Sequence, residues 1–568
     1  MTLLTGVSAA IVAVFLHKIT YFLTDFFGTN RAFTLEAFLY GGIAIFASGW
    51  ITTRMFPSTS GSGIPGVRVA LAVYHGNIGF GPTIAKLLTS ILSLSTGVSL
   101  GREGPTAAIA AGIGSFFGNF FSMSKKRVKA LVAVGAAGGI AAAFNTPIAA
   151  VVFTLEEVVG DLNAKVLGSI IISSVTAAIT ASALQGNHAM FSELAYTLKD
   201  PKELVFYLLI GLSCAFLGPI WMNTVLKTRA MSLKLFKGHR LTIIMMTFFL
   251  VALVSYVEPE ALGSGHSTIE EALLSLLKDW KVLLWLFAFK FFLTAICYAS
   301  GVSGGLFLPT LMLGAMLGGF VGSFAGQWFP EITSNTGAYA LVGMGAFFAA
   351  VIRAPFTSII MVFELTRDYN IMLPLMIANV VSYSISGRIT KESIYEKISE
   401  QDGIHLPTRE DNEVLETLLV EDAMVDDVIS LNAKDTIEDV SKNIKGKRFS
   451  GYPVLKNGHL IGMISTNEIN MQIAKGNKEV KIEDICTKQI IHIYQDQSLL
   501  VALHKLNKFQ ISRIPVVSRL NDKRLIGIIT AENIVSQFGY HIQEEEKKEE
   551  ELETLEETLQ ESKSSDDK

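Results

Sequence analysis

The chain has 568 residues, of which half are hydrophobic and only 17% are charged, for a formal net charge of -4. Soluble proteins carry about 25% charged residues, so a mean hydropathy of +0.43 excludes a wholly soluble chain. No basic stripe with interleaved aromatics marks a nucleic-acid partner, and Cys214, Cys297 and Cys486 stand too far apart for a disulfide framework or a CxxC pair.

The first apolar stretch, Val7 to Leu16, has no basic flank and no small-residue cleavage site. It reads as a membrane helix and not a signal peptide. It starts so soon after Met1 that an upstream segment could precede it. Membrane segments are expected at Val7–Leu23, Ala37–Thr53, Ile84–Leu100, Ala130–Leu155, Val166–Leu184, Leu204–Met222, Leu241–Val257 and Val282–Ser300. Leu306–Gly326, Gly337–Val351 and Ile371–Gly387 follow. A bilayer core needs about 20 apolar residues per helix. Several runs are shorter, and Gly or Pro cuts them at Gly61–Pro65, Gly101–Pro105, Asn145–Pro147, Gly301–Pro309 and Ala354–Pro355. Backbone that leaves a helix at membrane depth must be buried in protein or line a cavity. Broken, uneven helices therefore point to a transporter or channel with an internal site.

The hydrophobic part repeats. Gly135/Gly343, Pro147/Pro355 and Glu156/Glu364 are each 208 residues apart, and GREGP (Gly101–Pro105) stands where GLFLP (Gly305–Pro309) stands, at an offset of 204. Such duplication with matched interruptions marks transporters whose site lies between the repeats, either inverted or parallel. The basic run Lys125–Lys129 is expected on the cytosolic side.

After about Lys391 the composition is that of a soluble protein, and it repeats too. Val420-Glu421-Asp422 recurs as Ile482-Glu483-Asp484 and Tyr452-Pro453-Val454 as Ile514-Pro515-Val516, both at a spacing of 62. LIGMIS (Leu460–Ser465) recurs as LIGIIT (Leu525–Thr530). Each copy reads helix, strand, strand, helix, with β-branched runs such as Ile526–Ile529 as the strand signal. The segment after about Glu544 is acidic and low in complexity; a solvated, disordered tail fits it better than the thin stripe of Leu552, Leu555 and Leu559.

Two enzyme-like patterns fail on context. Gly61–Gly66 matches GxGxxG, but no soluble βαβ unit surrounds it and Pro65 removes an amide. Gly301–Gly305 matches GxSxG, but follows a membrane helix and lacks partner Asp and His residues. Both segments and GREGP fit another reading: each is a glycine-rich turn opening an apolar helix. Helix N-termini offer free amides and a positive dipole end, and glycine lets backbone approach an ion closely. Three such starts would bind an anion without trapping it. Close helix packing through small residues is the plainer alternative for any one of them.

GSGIP at 61–65, GREGP at 101–105 and GLFLP at 305–309 closely resemble the three signature segments of the CLC chloride channels and transporters. The resemblance covers nearly the whole chain, and the soluble repeat looks like the CBS (Bateman) pair of that family. It implies a membrane all-α bundle of duplicated, inverted repeats with broken helices, followed by an α+β tandem CBS pair. The implied organisation is a transport domain at 1–400, a linker at 401–416, CBS repeats at 417–475 and 476–540, and a tail at 541–568.

The resemblance also assigns roles. Ser62 matches the serine that contacts the central chloride, and the amides of Leu306 and Phe307 match the other side of that site. Tyr395 matches the tyrosine closing the inner mouth; its phenolic O–H is a neutral donor. Glu103 matches the gating glutamate, whose carboxylate occupies an anion site until protonation releases it. Glu157 matches the internal proton acceptor of the exchangers, where family channels commonly carry an apolar residue. Charge at membrane depth usually marks function. Glu156 has a counterpart in Glu364 and reads as structural, whereas Leu365 stands opposite Glu157. Proton/chloride exchange is therefore expected, with a passive chloride channel as the alternative and no enzymatic activity.

Serine at 62 implies chloride preference over nitrate, and Pro105 argues against fluoride. Gly66 departs from the family, which usually has an acidic residue there. Lys86 either raises the local potential for anions or snorkels to the interface; Lys290 reads as structural. In CBS pairs that bind adenine nucleotides an acidic residue after the last strand holds the ribose. Glu468 and Asn533 stand at those places, and Thr466 and Thr530 near the phosphates; a module that only dimerises and couples is the other reading. The resemblance further implies no required cofactor, chloride and protons as transported ions, a homodimer, and a prokaryotic inner membrane with the CBS pair in the cytosol.

Overall fold

The computed structural model describes the chain except residues 30, 161–164, 187–197, 236–238, 367, 405–413, 445–449, 542–543, 545–546 and 548–568. Two compact units emerge, Met1–Leu406 and Pro407–Lys568. Most of the expected 541–568 tail and most of the expected 401–416 linker lie outside the described residues.

The first unit is a bundle of α-helices, seven of which are long and apolar enough to cross a membrane among the described residues. Phe307–Trp328 and Lys125–Phe144 run through its interior, with 83% and 78% of their apolar windows buried. Their small residues let backbones touch: a Cβ at Gly314 would meet the Gly343 carbonyl, and one at Gly135 the Ala110 carbonyl.

The expected runs are corrected in three places. Ala130–Leu155 is not one helix. It splits into Lys125–Phe144 and Pro147–Phe153, because Asn145 adopts a left-handed conformation (φ 57°) and Pro147 starts the next helix. Ile84–Leu100 ends as a helix at Leu94, and the chain turns through Gly97 (φ 77°). Glu103–Phe120 and Pro355–Thr366 are helices that the run-by-run reading passes over. The first is rich in Gly and Ala and opens on a charged residue, so its hydropathy is diluted.

Two short helices, Ile64–Ala72 and His266–Leu273, complete the site-bearing scaffold. Each begins after a glycine in the left-handed region, Gly63 (φ 91°) and Gly265 (φ 84°). Each is preceded by a GSG turn, at 61–63 and 263–265.

The second unit holds two three-stranded sheets of the same order. In the first, Leu431–Asn432 pairs parallel with Gly451–Lys456, which pairs antiparallel with His459–Ser465. In the second, Ile493–Tyr494, Arg513–Ser518 and Asn521–Thr530 repeat that pattern. The short parallel strand of each copy has no counterpart in the helix–strand–strand–helix reading, since two residues carry no alternation. The copies also exchange their lead helices. Val420 of the first packs in the core of the second, and Ile482 of the second in the core of the first. Matching hydrogen bonds fix the exchange: the Val420 amide donates to Gln497 O, and the Ile482 amide to Asp435 O.

Candidate functional site

The three glycine-rich turns meet. The Gly61 amide donates to Val302 O and the Gly304 amide to Gly61 O, each at 3.1 Å. Gly101 and Gly305 exchange both backbone bonds, at 2.7 and 2.6 Å. Segments far apart in the chain are thus stitched together at the starts of helices Ile64–Ala72, Glu103–Phe120 and Phe307–Trp328. The approach demands glycine: a Cβ at Gly104 would collide with the Ser62 hydroxyl, and one at Gly305 would sit 3.1 Å from the Gly104 nitrogen.

Groups assigned from the sequence converge on this junction. Ser62 Oγ, both Glu103 carboxylate oxygens and Tyr395 Oη are buried without a hydrogen-bond partner. Buried polar groups are nearly always hydrogen-bonded, so orphans gathered in one place mark a site for something the chain itself does not supply. The Tyr395 hydroxyl faces Ser62, within electrostatic range of Glu103 and Glu157. Leu306 is the residue before the first turn of Phe307–Trp328, so its amide and that of Phe307 have no acceptor within the helix. Phe307 is wedged among Phe144, Phe153 and Phe348 at ring separations of 4.8, 5.4 and 4.7 Å. That aromatic cluster fixes where the amides point.

The Glu103 carboxylate lies against Gly101, 3.8 Å from the Arg102 guanidinium. Arg102 in turn contacts His17. Glu156 and Glu157, adjacent in a π-helical turn, point to different partners. Glu156 accepts from the Phe356 and Thr357 amides. Glu157 is buried and pairs with Arg68, and accepts from the Ser393 hydroxyl at 2.7 Å.

Lys86 is buried, and its ammonium donates to Thr59 O and Gly61 O at 2.8 and 2.6 Å. It does not snorkel; it holds the GSG turn that carries Ser62. Lys290 does the same for the other turn, donating to Ala261 O and Gly263 O. Gly66 is exposed, and a Cβ placed there would meet nothing within 4 Å, so its departure from the family leaves no gap.

Sequence reasoning missed Arg68, Ser393, Glu396 and Tyr298. Arg68 is a lone charge four residues into an apolar helix, and Ser393-x-x-Glu396 is a capping-box pattern enclosing Tyr395. Both signals were on the chain; their convergence was not. Tyr298 closes over Gly61, its hydroxyl 3.1 Å from where a Cβ would stand.

The CBS candidates belong to the second unit. Glu468 caps its own helix, accepting from the Ser465 amide and hydroxyl. Asn533 accepts from the Thr530 amide and hydroxyl. Thr466 opens the helix that Glu468 caps. Arg513 ties the two copies, donating to Gly451 O at 2.7 Å.

Residues 43–387 match the family model described as voltage gated chloride channel, and 420–475 and 482–539 match CBS domain models. The chain is similar to the H(+)/Cl(-) exchange transporter ClcA of Vibrio cholerae, with 30% identity over 70% of this chain and 88% of the relative. The fold resembles that of a slow cyanobacterial Cl-/H+ antiporter, with TM-score 0.66 and 24% identity over 71% of this chain and 96% of that one. It also resembles a eukaryotic CLC transporter, with TM-score 0.67 and 20% identity over 94% of this chain and 97% of that one.

Proposed function

The chain belongs to the voltage-gated chloride channel family and carries two CBS domains, and we propose that within this family it exchanges chloride for protons. The carrying observation is Glu157. It is a buried carboxylate on the Tyr395 side of the junction, with no counterpart in the second repeat, where Leu365 stands. A structural glutamate would be expected in both repeats, as Glu156 and Glu364 are. A carboxylate at membrane depth in one repeat only is what proton movement needs.

In this reading chloride sits between the Ser62 and Tyr395 hydroxyls and the Leu306 and Phe307 amides, all neutral donors that hold an anion without trapping it. Glu103 competes for the anion position as a carboxylate and vacates it once protonated. Glu157 takes up the proton from the other side. The protein acts as a homodimer in a prokaryotic inner membrane, with the CBS pair in the cytosol. Because Glu468 and Asn533 already serve as caps, the CBS pair couples and dimerises without requiring an adenine nucleotide.

Flux in liposomes holding only the purified protein tests the proposal. Under a chloride gradient with the voltage clamped by a potassium ionophore, chloride should drive protons against their own gradient. Glu157→Gln should abolish proton movement and spare much of the chloride flux. Chloride flux without coupled protons in the unmodified protein would make it a passive channel.

A further inference from the structure

Arg68 is a hub. One guanidinium nitrogen contacts Glu157, and the other lies 3.1 Å from Glu396. Arg68 also donates to the Ser393 hydroxyl at 3.3 Å, and that hydroxyl donates to Glu157. Three elements meet here: the helix that begins just after Ser62, the π-helical turn of Glu157, and helix Ile394–Gln401, which carries Tyr395.

The cluster holds two carboxylates and one guanidinium. Arginine keeps its protons at any ordinary pH, so the cluster has one uncompensated negative charge and room for one proton. The carboxylates are not equally accessible. Glu396 is 16% exposed and Glu157 6%. The other charges nearby are engaged elsewhere: Glu156 caps helix Pro355–Thr366, and Lys397 pairs with Glu392 and Glu400. The Tyr395 hydroxyl faces the cluster from the ion site.

We propose that Glu396 is a second proton-transfer residue, which takes protons from the aqueous side and passes them to Glu157, with Arg68 holding the two carboxylates in register. This deepens the exchange reading above and rests on it. The proton leaves a Glu396 oxygen and binds a Glu157 oxygen, the two carboxylates being held at neighbouring nitrogens of one guanidinium. The guanidinium carries no proton in the step. Its fixed charge stabilises whichever carboxylate is ionised, so the proton is shared and not stranded at the outer group.

The test measures proton and chloride flux side by side in proteoliposomes of the full chain. Glu396→Gln keeps the capping-box acceptor that the helix start needs, so it should fold and leave chloride flux near the unmodified rate. Its proton flux should fall about a hundredfold, the low end of what a positioned proton-transfer group contributes. Glu396→Asp, which restores a titratable group, should recover proton movement. Arg68→Lys supplies a reading independent of the cap: a single ammonium lacks the fork that touches both carboxylates, so the proton-to-chloride ratio should drop. An unchanged ratio in both Glu396→Gln and Arg68→Lys overturns the proposal. Glu157→Gln is run alongside: if it still moves protons, exchange through Glu157 is itself wrong, whereas if it uncouples and the Glu396 and Arg68 variants do not, only the present inference fails.

Discussion

Glu156 and Glu364 cap each other's repeat. Glu156 accepts from the Phe356 and Thr357 amides, and Glu364 from the Ile148 and Ala149 amides. Both pairs of donor amides lie at the first turn of a helix opened by proline, Pro147 in one repeat and Pro355 in the other. A carboxylate there satisfies free amides and meets the positive end of the helix dipole.

Glu156→Ala and Glu364→Ala should therefore weaken the fold and leave coupling intact. Loss of a cap costs about 0.5–2 kcal/mol, which should appear as a lower melting midpoint in detergent for both variants. The proton-to-chloride ratio of whatever protein reconstitutes should equal that of the unmodified chain. A Glu156→Ala protein that melts normally yet moves no protons would place Glu156 in the proton path instead.

Gly104→Ala should damage anion binding without removing any polar group. The added methyl would collide with Ser62 Oγ and lie 2.8 Å from Ser62 O. Both oxygens belong to one residue held by backbone bonds on either side, so the hydroxyl cannot step aside alone. Chloride binding, followed calorimetrically, should weaken by at least about tenfold, equivalent to about 1.4 kcal/mol. Wild-type affinity would mean that Ser62 does not face the anion.

Glu103→Ala should leave chloride flux that no longer responds to external acidification. The direction follows from competition: an ionised Glu103 carboxylate and chloride exclude each other, and protonation removes the carboxylate's charge. Flux through the unmodified chain should rise as external pH falls. The variant lacks the competing group, so its flux should be flat with pH and uncoupled from protons. Retained pH-dependent, proton-coupled flux would reject Glu103 as the gate.

Lys86→Met and Lys290→Met should be about equally harmful to folding. Each lysine serves one carbonyl of a GSG turn, Gly61 or Gly263, and one just before it, Thr59 or Ala261. A buried acceptor left unsatisfied costs about 1–3 kcal/mol, so either variant should show poor monodisperse yield and a lower melting midpoint. Normal stability with altered anion selectivity in Lys86→Met would show that its charge acts on the permeating ion.

Much of this protein is written locally and so was legible in the chain. Apolar runs, glycine-rich turns and the two internal offsets are short-range properties, and they marked a duplicated bundle of broken helices followed by a duplicated soluble pair. Ser62, Glu103, Leu306, Phe307 and Tyr395 could be picked out because the segments that carry them resemble those of the CLC family. Glu157 stood out from Glu156 because only one of them has a partner at the repeat offset.

Contacts between distant residues were decided by the tertiary structure alone. No local pattern says that Arg68 meets Glu157 and Glu396, 89 and 328 residues away. None says that Lys86 turns inward to Gly61, or that the CBS copies trade lead helices. Periodicity states which face of an element is apolar, not which element it faces. Buried charges must find partners or forfeit solvation, and only the folded chain determines which partners come within reach.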